Sequence, residues 1–340
     1  MRRNYLIARV GISMTTPRTF PLVLRHAISR LVLNRRYPGY AILGLTNRCN
    51  CNCQHCYAYQ YRQCDTGDEM STTEWFGILD QIRELKIPRA HLSGGEPTLR
   101  KDLPELVGYC REKGIVPILE TNGTFLSESL VSDLKRAGIG GIVVSLDSSA
   151  PDRHDQVRHL KGCYEKAVEG LERCVAQGVP CVISTFANRE KLTNNDLENL
   201  MRLGKRIGVR AVRLIPPIMS GKWINDDIVR LNPEDVARIE SALDPSVAYF
   251  RGMYFGAGCA ALEKGTFYVS PSGEIQPCAV VPLSFGSVRE ERLSAILKKI
   301  WEHPMCDLQT KGCVMNDDRF RERYENYLDQ ESSPKRIGLE

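Results

Sequence analysis

The first 64 residues contain no acidic side chain, although the 340-residue chain holds 41 Asp and Glu. Ten arginines fall in that stretch, at 2, 3, 9, 18, 25, 30, 35, 36, 48 and 62, so it carries +10. The remainder, with 36 basic against 41 acidic residues, carries −5, which leaves the overall +5. An end of this kind meets phosphates, anionic lipid heads or an acidic redox partner, or is simply a solvated basic face. Also missing is any apolar run of 18 residues, which excludes an ordinary helical membrane span. No uninterrupted apolar segment with a small-residue cleavage site follows Met1-Arg2-Arg3, so no export signal is read. The thirteen cysteines are therefore read against a reducing cytoplasm, as metal ligands or core residues rather than disulfides. With 42% apolar and 26% charged residues, the composition is that of an ordinary globular protein, long enough for one large and one small domain.

What is present centres on Cys49-Asn50-Cys51-Asn52-Cys53-Gln54-His55-Cys56-Tyr57. Cys49, Cys53 and Cys56 form a C-x3-C-x2-C loop after the apolar run Ala41 to Leu45. Soft thiolates suit zinc or iron–sulfur clusters, and three in one loop suit a cubane with one iron left free for a ligand. Structural zinc more naturally takes a fourth ligand from a paired C-x2-C, and none adjoins this loop. Cys51 is off the spacing and is read as a non-ligand.

Around the loop runs a strand–helix alternation. Apolar runs at 41–46, 89–93, 116–121, 141–146, 181–187 and 210–215 read as strands. Helical patterns lie between them at about 71–86, 103–113, 127–137, 163–177 and 193–207, with a sixth from 233 to 243. Ser71 with Glu74 makes a capping box, and Gly114, Gly138, Gly178 and Gly208 stand where helices should stop. The alternation implies an α/β fold with a parallel sheet, either an open partial barrel or a doubly wound sheet. In both, the active site lies at the strand C-terminal ends, where the cysteine loop sits. Residues 1–19 lack periodicity and read as a loosely held arm. From Phe20 to Leu33 a basic amphipathic helix follows, suited to covering a barrel bottom or lying on a membrane surface. Beyond about 245 the rhythm changes to a hairpin at 265–277 and helices at about 293–303 and 317–328. The expected division is a basic arm and helix at 1–39, a barrel at 40–244, a small α+β domain at 245–330 and a polar tail at 331–340.

Two further features bear on chemistry. Ser93-Gly94-Gly95-Glu96-Pro97 ends the second strand, where the glycines admit a bulky ligand and Glu96 can pair with an amino group. Cys259, Gly273-x4-Cys278, Cys306 and Cys313 supply four thiols in a loop-rich segment, a count that fits an iron–sulfur cluster or zinc. Cys110, Cys174 and Cys181 fall in apolar patterns and read as core, while Cys64 and Cys163 show no paired spacing.

Together these motifs resemble the radical S-adenosylmethionine (SAM) enzymes. The cysteine loop, the GGEP turn, the TNG turn at Thr121-Asn122-Gly123 and the SLD turn at Ser145-Leu146-Asp147 stand in the family's order. The resemblance implies a partial (β/α)6 barrel in which Cys49, Cys53 and Cys56 hold a [4Fe–4S] cluster that chelates SAM. Gly94, Gly95 and Glu96 would meet the amino group of SAM, Asn122, Ser145 and Asp147 its ribose and carboxylate level, and Arg158 its carboxylate. Ser184 and Asn188 are further candidates, and Arg213 and Lys222 are candidate substrate contacts. The four distal cysteines resemble a SPASM/twitch extension of the shorter twitch type, since the full C-x2-C-x5-C-x3-C run is lacking. They imply an auxiliary [4Fe–4S] cluster held by Cys259, Cys278, Cys306 and Cys313.

The implied activity is that of an oxidoreductase or maturase. SAM is cleaved reductively to a 5′-deoxyadenosyl radical, which takes a substrate hydrogen, and the substrate radical is oxidised through the auxiliary cluster. The substrate is a peptide, protein or small molecule; a lipid, isoprenoid or heme-pathway compound is the alternative. No winged-helix peptide binder is read in the 39 residues before the first strand. Expected partners are a flavodoxin- or ferredoxin-type electron donor and, through the basic end, a membrane surface; nucleic acid is not expected. A non-catalytic iron–sulfur or zinc protein is the reading from another class, and it leaves the three strand-end turns without a purpose. No acid–base residue is identified.

Overall fold

The computed structural model describes residues 2–31, 37–59, 69–227, 230–250, 258–310, 312–328 and 335–337. Cys64 and most of the 331–340 tail lie outside them. Six strands and their crossover helices follow in strict order: β1 (Tyr40–Gly44), α3 (Thr72–Glu84), β2 (Arg89–Ser93), α4 (Leu103–Glu112), β3 (Val116–Thr121), α5 (Glu128–Ala137), β4 (Gly141–Ser145), α6 (Pro151–Arg158), α7 (Cys163–Ala176), β5 (Cys181–Phe186), α8 (Arg189–Thr193), α9 (Asp196–Ile207) and β6 (Ala211–Ile215). Each strand pairs in parallel with the next. A doubly wound sheet reverses its strand order midway, and this one does not. The sheet is therefore the open partial barrel, wound one way with its helices on one face.

The sheet continues past six strands. After α10 (Pro233–Ala242), β7 (Ala248–Phe250) adds in parallel to β6. At the other edge, β8 (Thr266–Val269) lies parallel to β1, with Tyr40 opposite Thr266, and turns back antiparallel as β9 (Ile275–Gln276). The hairpin expected at 265–277 thus supplies the eighth and ninth strands of the barrel sheet. β10 (Leu283–Ser284), α11 (Leu293–Glu302), α12 (Asp318–Arg323) and β11 (Lys335–Arg336) complete the described elements. The helix expected at 193–207 is broken at Asn195, whose φ of 58° is left-handed, and the one at 317–328 ends at Arg323.

Helix boundaries follow local chemistry. The Ser71–Glu74 capping box opens α3, and left-handed Gly138 and Gly208 close α5 and α9. Trp75, Ile78, Leu79 and Ile82 of α3 pack against the outer faces of β1 and β2, while Cys110, Cys174 and Cys181 are buried in the same helix–sheet core.

The N-terminus departs from expectation. Instead of a loose arm there is α1 (Arg2–Ser13), whose Leu6 and Val10, with Met14 just beyond, are almost fully buried. They meet Val116, Ile118, Val143, Val182, Ala211 and Tyr249 and close the barrel floor. Burying each such side chain contributes about 1.5–3 kcal/mol. The helix α2 (Phe20–Leu31) follows at the same end, where a Cβ on Gly39 would touch the ring of His26.

Candidate active site

The cysteine loop leaves the C-terminal end of β1 and is tied to its neighbours mainly through backbone. Gly95 N–H donates to Thr46 O at 2.6 Å and Glu96 N–H to Arg48 O at 2.8 Å. A Cβ on Gly94 would lie 2.5 Å from Thr46 O, and one on Gly95 2.3 Å from Arg48 O. The two glycines thus let the turn after β2 press against the start of the cysteine loop, while also lining the cavity. Further along, Asn52 and Gln54 N–H donate to Arg158 O and Val157 O, so the end of α6 holds the middle of the loop. The turn at 220–223 clasps its far end. Lys222 N–H donates to Cys56 O at 3.2 Å, and a Cβ on Gly221 would sit 2.0 Å from that oxygen. Lys222 Nζ reaches Asn52 Oδ1 at 2.6 Å, so this expected substrate contact is a brace on the loop.

An open cavity lies over the strand ends. Its wall includes Cys49, Cys53, Cys56, Gly94, Gly95, Asn122, Ser145, Asp147, Arg158, Ser184 and Arg213, which brings together the C-terminal ends of β2 to β6 and the loop that follows β1. Arg158 lies beside Asp147, 2.7 Å from Nη2 to Oδ2, and its Nη1 donates to Cys53 Sγ at 3.5 Å. Burial opposes the charge on Asp147, yet Arg158, His55 and Lys191 outweigh it and hold the carboxyl below its usual range. Burial also lowers His55 to about 4, so the imidazole is neutral where it sits against Phe186 and Trp223.

Glu96 does not reach this wall. Its carboxylate is fully buried and accepts from Thr98 N–H at 3.1 Å and Oγ1 at 2.5 Å, Thr121 Oγ1 at 2.6 Å and Asn122 N–H at 2.8 Å. The amino-group contact expected of it is corrected to a brace between the GGEP and TNG turns. Burial raises its pKa against the pull of these four bonds. Asn122 is likewise engaged, donating to Asn50 Oδ1 at 2.8 Å and Cys51 Sγ at 3.3 Å. Asn188 caps α8 by accepting from Lys191 N–H.

Sequence reasoning missed two features. Cys51 and Cys163, far apart in the chain, share a thiol hydrogen bond within one buried group that also holds Cys53. Across the barrel interior, Glu120 on β3 pairs with Arg213 on β6 at 3.2 Å and with His91 on β2 at 2.9 Å. Arg213 Nε also donates to Ser184 Oγ at 3.1 Å. Inward-facing polar residues at alternate strand positions were the available signal.

The distal cysteines converge although they are spread over more than 50 residues. Cys259 and Cys313 share a thiol hydrogen bond, and backbone N–H groups of Ala261, Leu262 and Val314 point at Cys259. Cys278 and Cys306 are raised to about 11, chiefly by burial, with Cys259 adding to both. Cys259 is buried and the other three are half-buried, and thiols with backbone donors around them are a donor set that fits iron–sulfur ligation. Among the described residues, no three His, Cys, Asp or Glu side chains are arranged to hold a single metal ion.

A sequential parallel barrel with a thiol loop and glycine turn at its C-terminal rim defines a cofactor-dependent α/β barrel enzyme. Residues 43–204, just under half of the chain, match the model of the Radical SAM superfamily, which together with the curated relatives supports a radical SAM enzyme. Its cofactors are accordingly a [4Fe–4S] cluster and SAM. It is similar to the Fe-coproporphyrin III synthase of Methanosarcina barkeri, 36% identical over 190 residues, covering 55% of this chain but only 47% of that protein. It is also similar to the PqqA peptide cyclase of Rhizobium meliloti, 27% identical, covering 81% and 77% of the two chains. The structure of Streptococcus suis SuiB bound to precursor peptide SuiA shares the fold, with TM-score 0.68, 16% identity and coverage of 92% and 78%.

Proposed function

We propose that this enzyme oxidises a peptide or protein substrate by a hydrogen abstraction in the cavity above β1–β6. The carrying observation is that Cys49, Cys53 and Cys56 stand on the same cavity wall as Gly94, Gly95, Ser145, Asp147 and Arg158. When bound, the cluster supplies the electron that splits SAM into methionine and the 5′-deoxyadenosyl radical. Cys49, Cys53 and Cys56 would hold it, and the Arg158 guanidinium beside Cys53 favours the thiolate there. The backbone of Gly94 and Gly95 on the cavity wall, with Ser145 and Arg158, would orient SAM. Glu120, Ser184 and Arg213 line the remainder of the cavity and would meet the substrate. Cys259, Cys278, Cys306 and Cys313 would hold an auxiliary [4Fe–4S] cluster that takes up the second electron. A flavodoxin- or ferredoxin-type protein would supply the first, and a membrane surface is a further partner considered below.

The peptide reading is supported by the likeness to PqqA peptide cyclase over most of both chains. The higher identity to Fe-coproporphyrin III synthase, over about half of each chain, favours a heme-pathway substrate as the second reading. The test is anaerobic reconstitution with iron and sulfide, then dithionite and SAM. The expected result is 5′-deoxyadenosine above a Cys53→Ala control, with about eight irons per chain for two cubanes. Iron without 5′-deoxyadenosine would overturn the enzymatic reading, and about four irons would remove the auxiliary cluster.

A further inference from the structure

Five large apolar side chains stand out as exposed among the described residues, and four of them lie on the first two helices. Phe20, Leu24 and Ile28 follow at i, i+4 and i+8 on α2, exposed by 50%, 45% and 45%, so they form one stripe along that helix. Ile12, at the end of α1, is 67% exposed. Arg9 on α1, Arg18 in the turn that follows and Arg25 on α2 are exposed, and no acidic residue occurs anywhere before position 65. A stripe of aliphatic and aromatic groups flanked by arginines, in a segment that carries no acidic residue of its own, is complementary to an anionic lipid bilayer. Its apolar side enters the acyl boundary while the guanidinium groups meet the headgroups.

Where this stripe sits decides what it can serve. α1 closes the floor formed by the N-terminal ends of the strands. Met14 packs against Gly141, the first residue of β4, and Arg9 donates to Ser246 O just before β7. Arg18 O lies beside Gly114, just before β3, and His26 of α2 beside Gly39, just before β1. The cysteine loop and cavity are at the opposite end, one strand length away, or about 17–20 Å. An acidic electron donor bound to this floor would be a barrel's length from the thiols it must reduce, which disfavours it as the occupant. The fifth exposed side chain, Phe125, lies beyond the TNG turn at the cavity end.

We infer that α1 and α2 dock the enzyme on an anionic membrane surface by Ile12, Phe20, Leu24 and Ile28, with the cavity mouth facing away from the bilayer. The basic N-terminus then argues for a membrane-localised enzyme whose substrate arrives from water, not for one that draws its substrate from the lipid. The inference is independent of the chemistry proposed for the cavity.

The test uses the full-length reconstituted protein and vesicles of phosphatidylcholine with or without phosphatidylglycerol. Anionic vesicles should co-sediment the protein at least about tenfold more than neutral ones, with the excess falling as salt rises. The combined variant Phe20→Ser, Leu24→Ser, Ile28→Ser should lose that binding without a change in melting temperature, whereas Phe125→Ser should retain it. Hydrogen exchange on the vesicles should slow in residues 8–31 and stay unchanged in 49–56 and 122–126. Equal sedimentation of wild type and triple variant would overturn the docking surface. So would capture of an acidic protein by the stripe with no vesicle binding. Slowing confined to 49–56 would overturn the orientation. 5′-Deoxyadenosine formation, read on the same preparation, reports separately on the catalytic reading.

Discussion

A carboxylate shut away from water must place its lone pairs on donors inside the protein, and Glu96 places them on Thr98, Thr121 and Asn122. Glu96→Gln exchanges one acceptor oxygen for an NH2 facing those donors. The expected cost is about 1–3 kcal/mol in the urea unfolding of the cluster-free protein. A residue that merely touched SAM would leave that stability unchanged. Glu74 shows the opposite environment. It closes the capping box of α3 and reaches Arg289 at 2.8 Å, and these bonds, Arg289 first, lower its pKa to about 2. Its support is complete above the usual 4.5 and is lost as pH falls through that value toward 2. Glu74→Ala should therefore cost about 1 kcal/mol at neutral pH, with the gap in urea midpoints shrinking by about pH 3.5.

Among the elements, α1 carries the clearest load. Truncating Val10 or Met14 to Ala should destabilise the protein by about 1–4 kcal/mol, read as a lower melting temperature, because the barrel floor has nothing else to refill the space. The turn after β2 has still less room. Gly95→Ala drives a methyl group into Arg48 O and should cost about 2 kcal/mol or more while reducing iron retention. These two elements mark where the sequence was readable. Cys49, Cys53 and Cys56 are neighbours in the chain, so their spacing announces the loop, and the strand–helix rhythm with its caps announces the six strands. Leu6, Val10 and Met14 do recur at four-residue intervals, but arginines and exposed Ile12 interrupt the stripe and conceal the helix. The direction of the Glu96 side chain was equally hidden, since a motif fixes a position and not a rotamer. Cys51 and Cys163 meet only through the fold, and nothing local in either segment signals the other.

On the scale of the whole molecule, two groups of thiols hang from one sheet. β1 leads directly into Cys49, and β8, hydrogen-bonded beside it, leads through β9 to Cys278. Cys278→Ala should therefore halve iron per chain relative to the unsubstituted protein while leaving the SAM-linked cluster in place, so that 5′-deoxyadenosine formation persists there and is lost in Cys53→Ala. The pairing of Tyr40 with Thr266 also has a consequence for biogenesis. The edge of β1 stays uncovered during translation until about 230 more residues have been made, which at about 5–20 residues per second takes roughly 10–45 s. For that interval a nascent chain presents an unpaired apolar strand next to reactive thiols. A ribosome-bound chaperone or an early iron–sulfur donor would find its substrate there, before the second cysteine group exists.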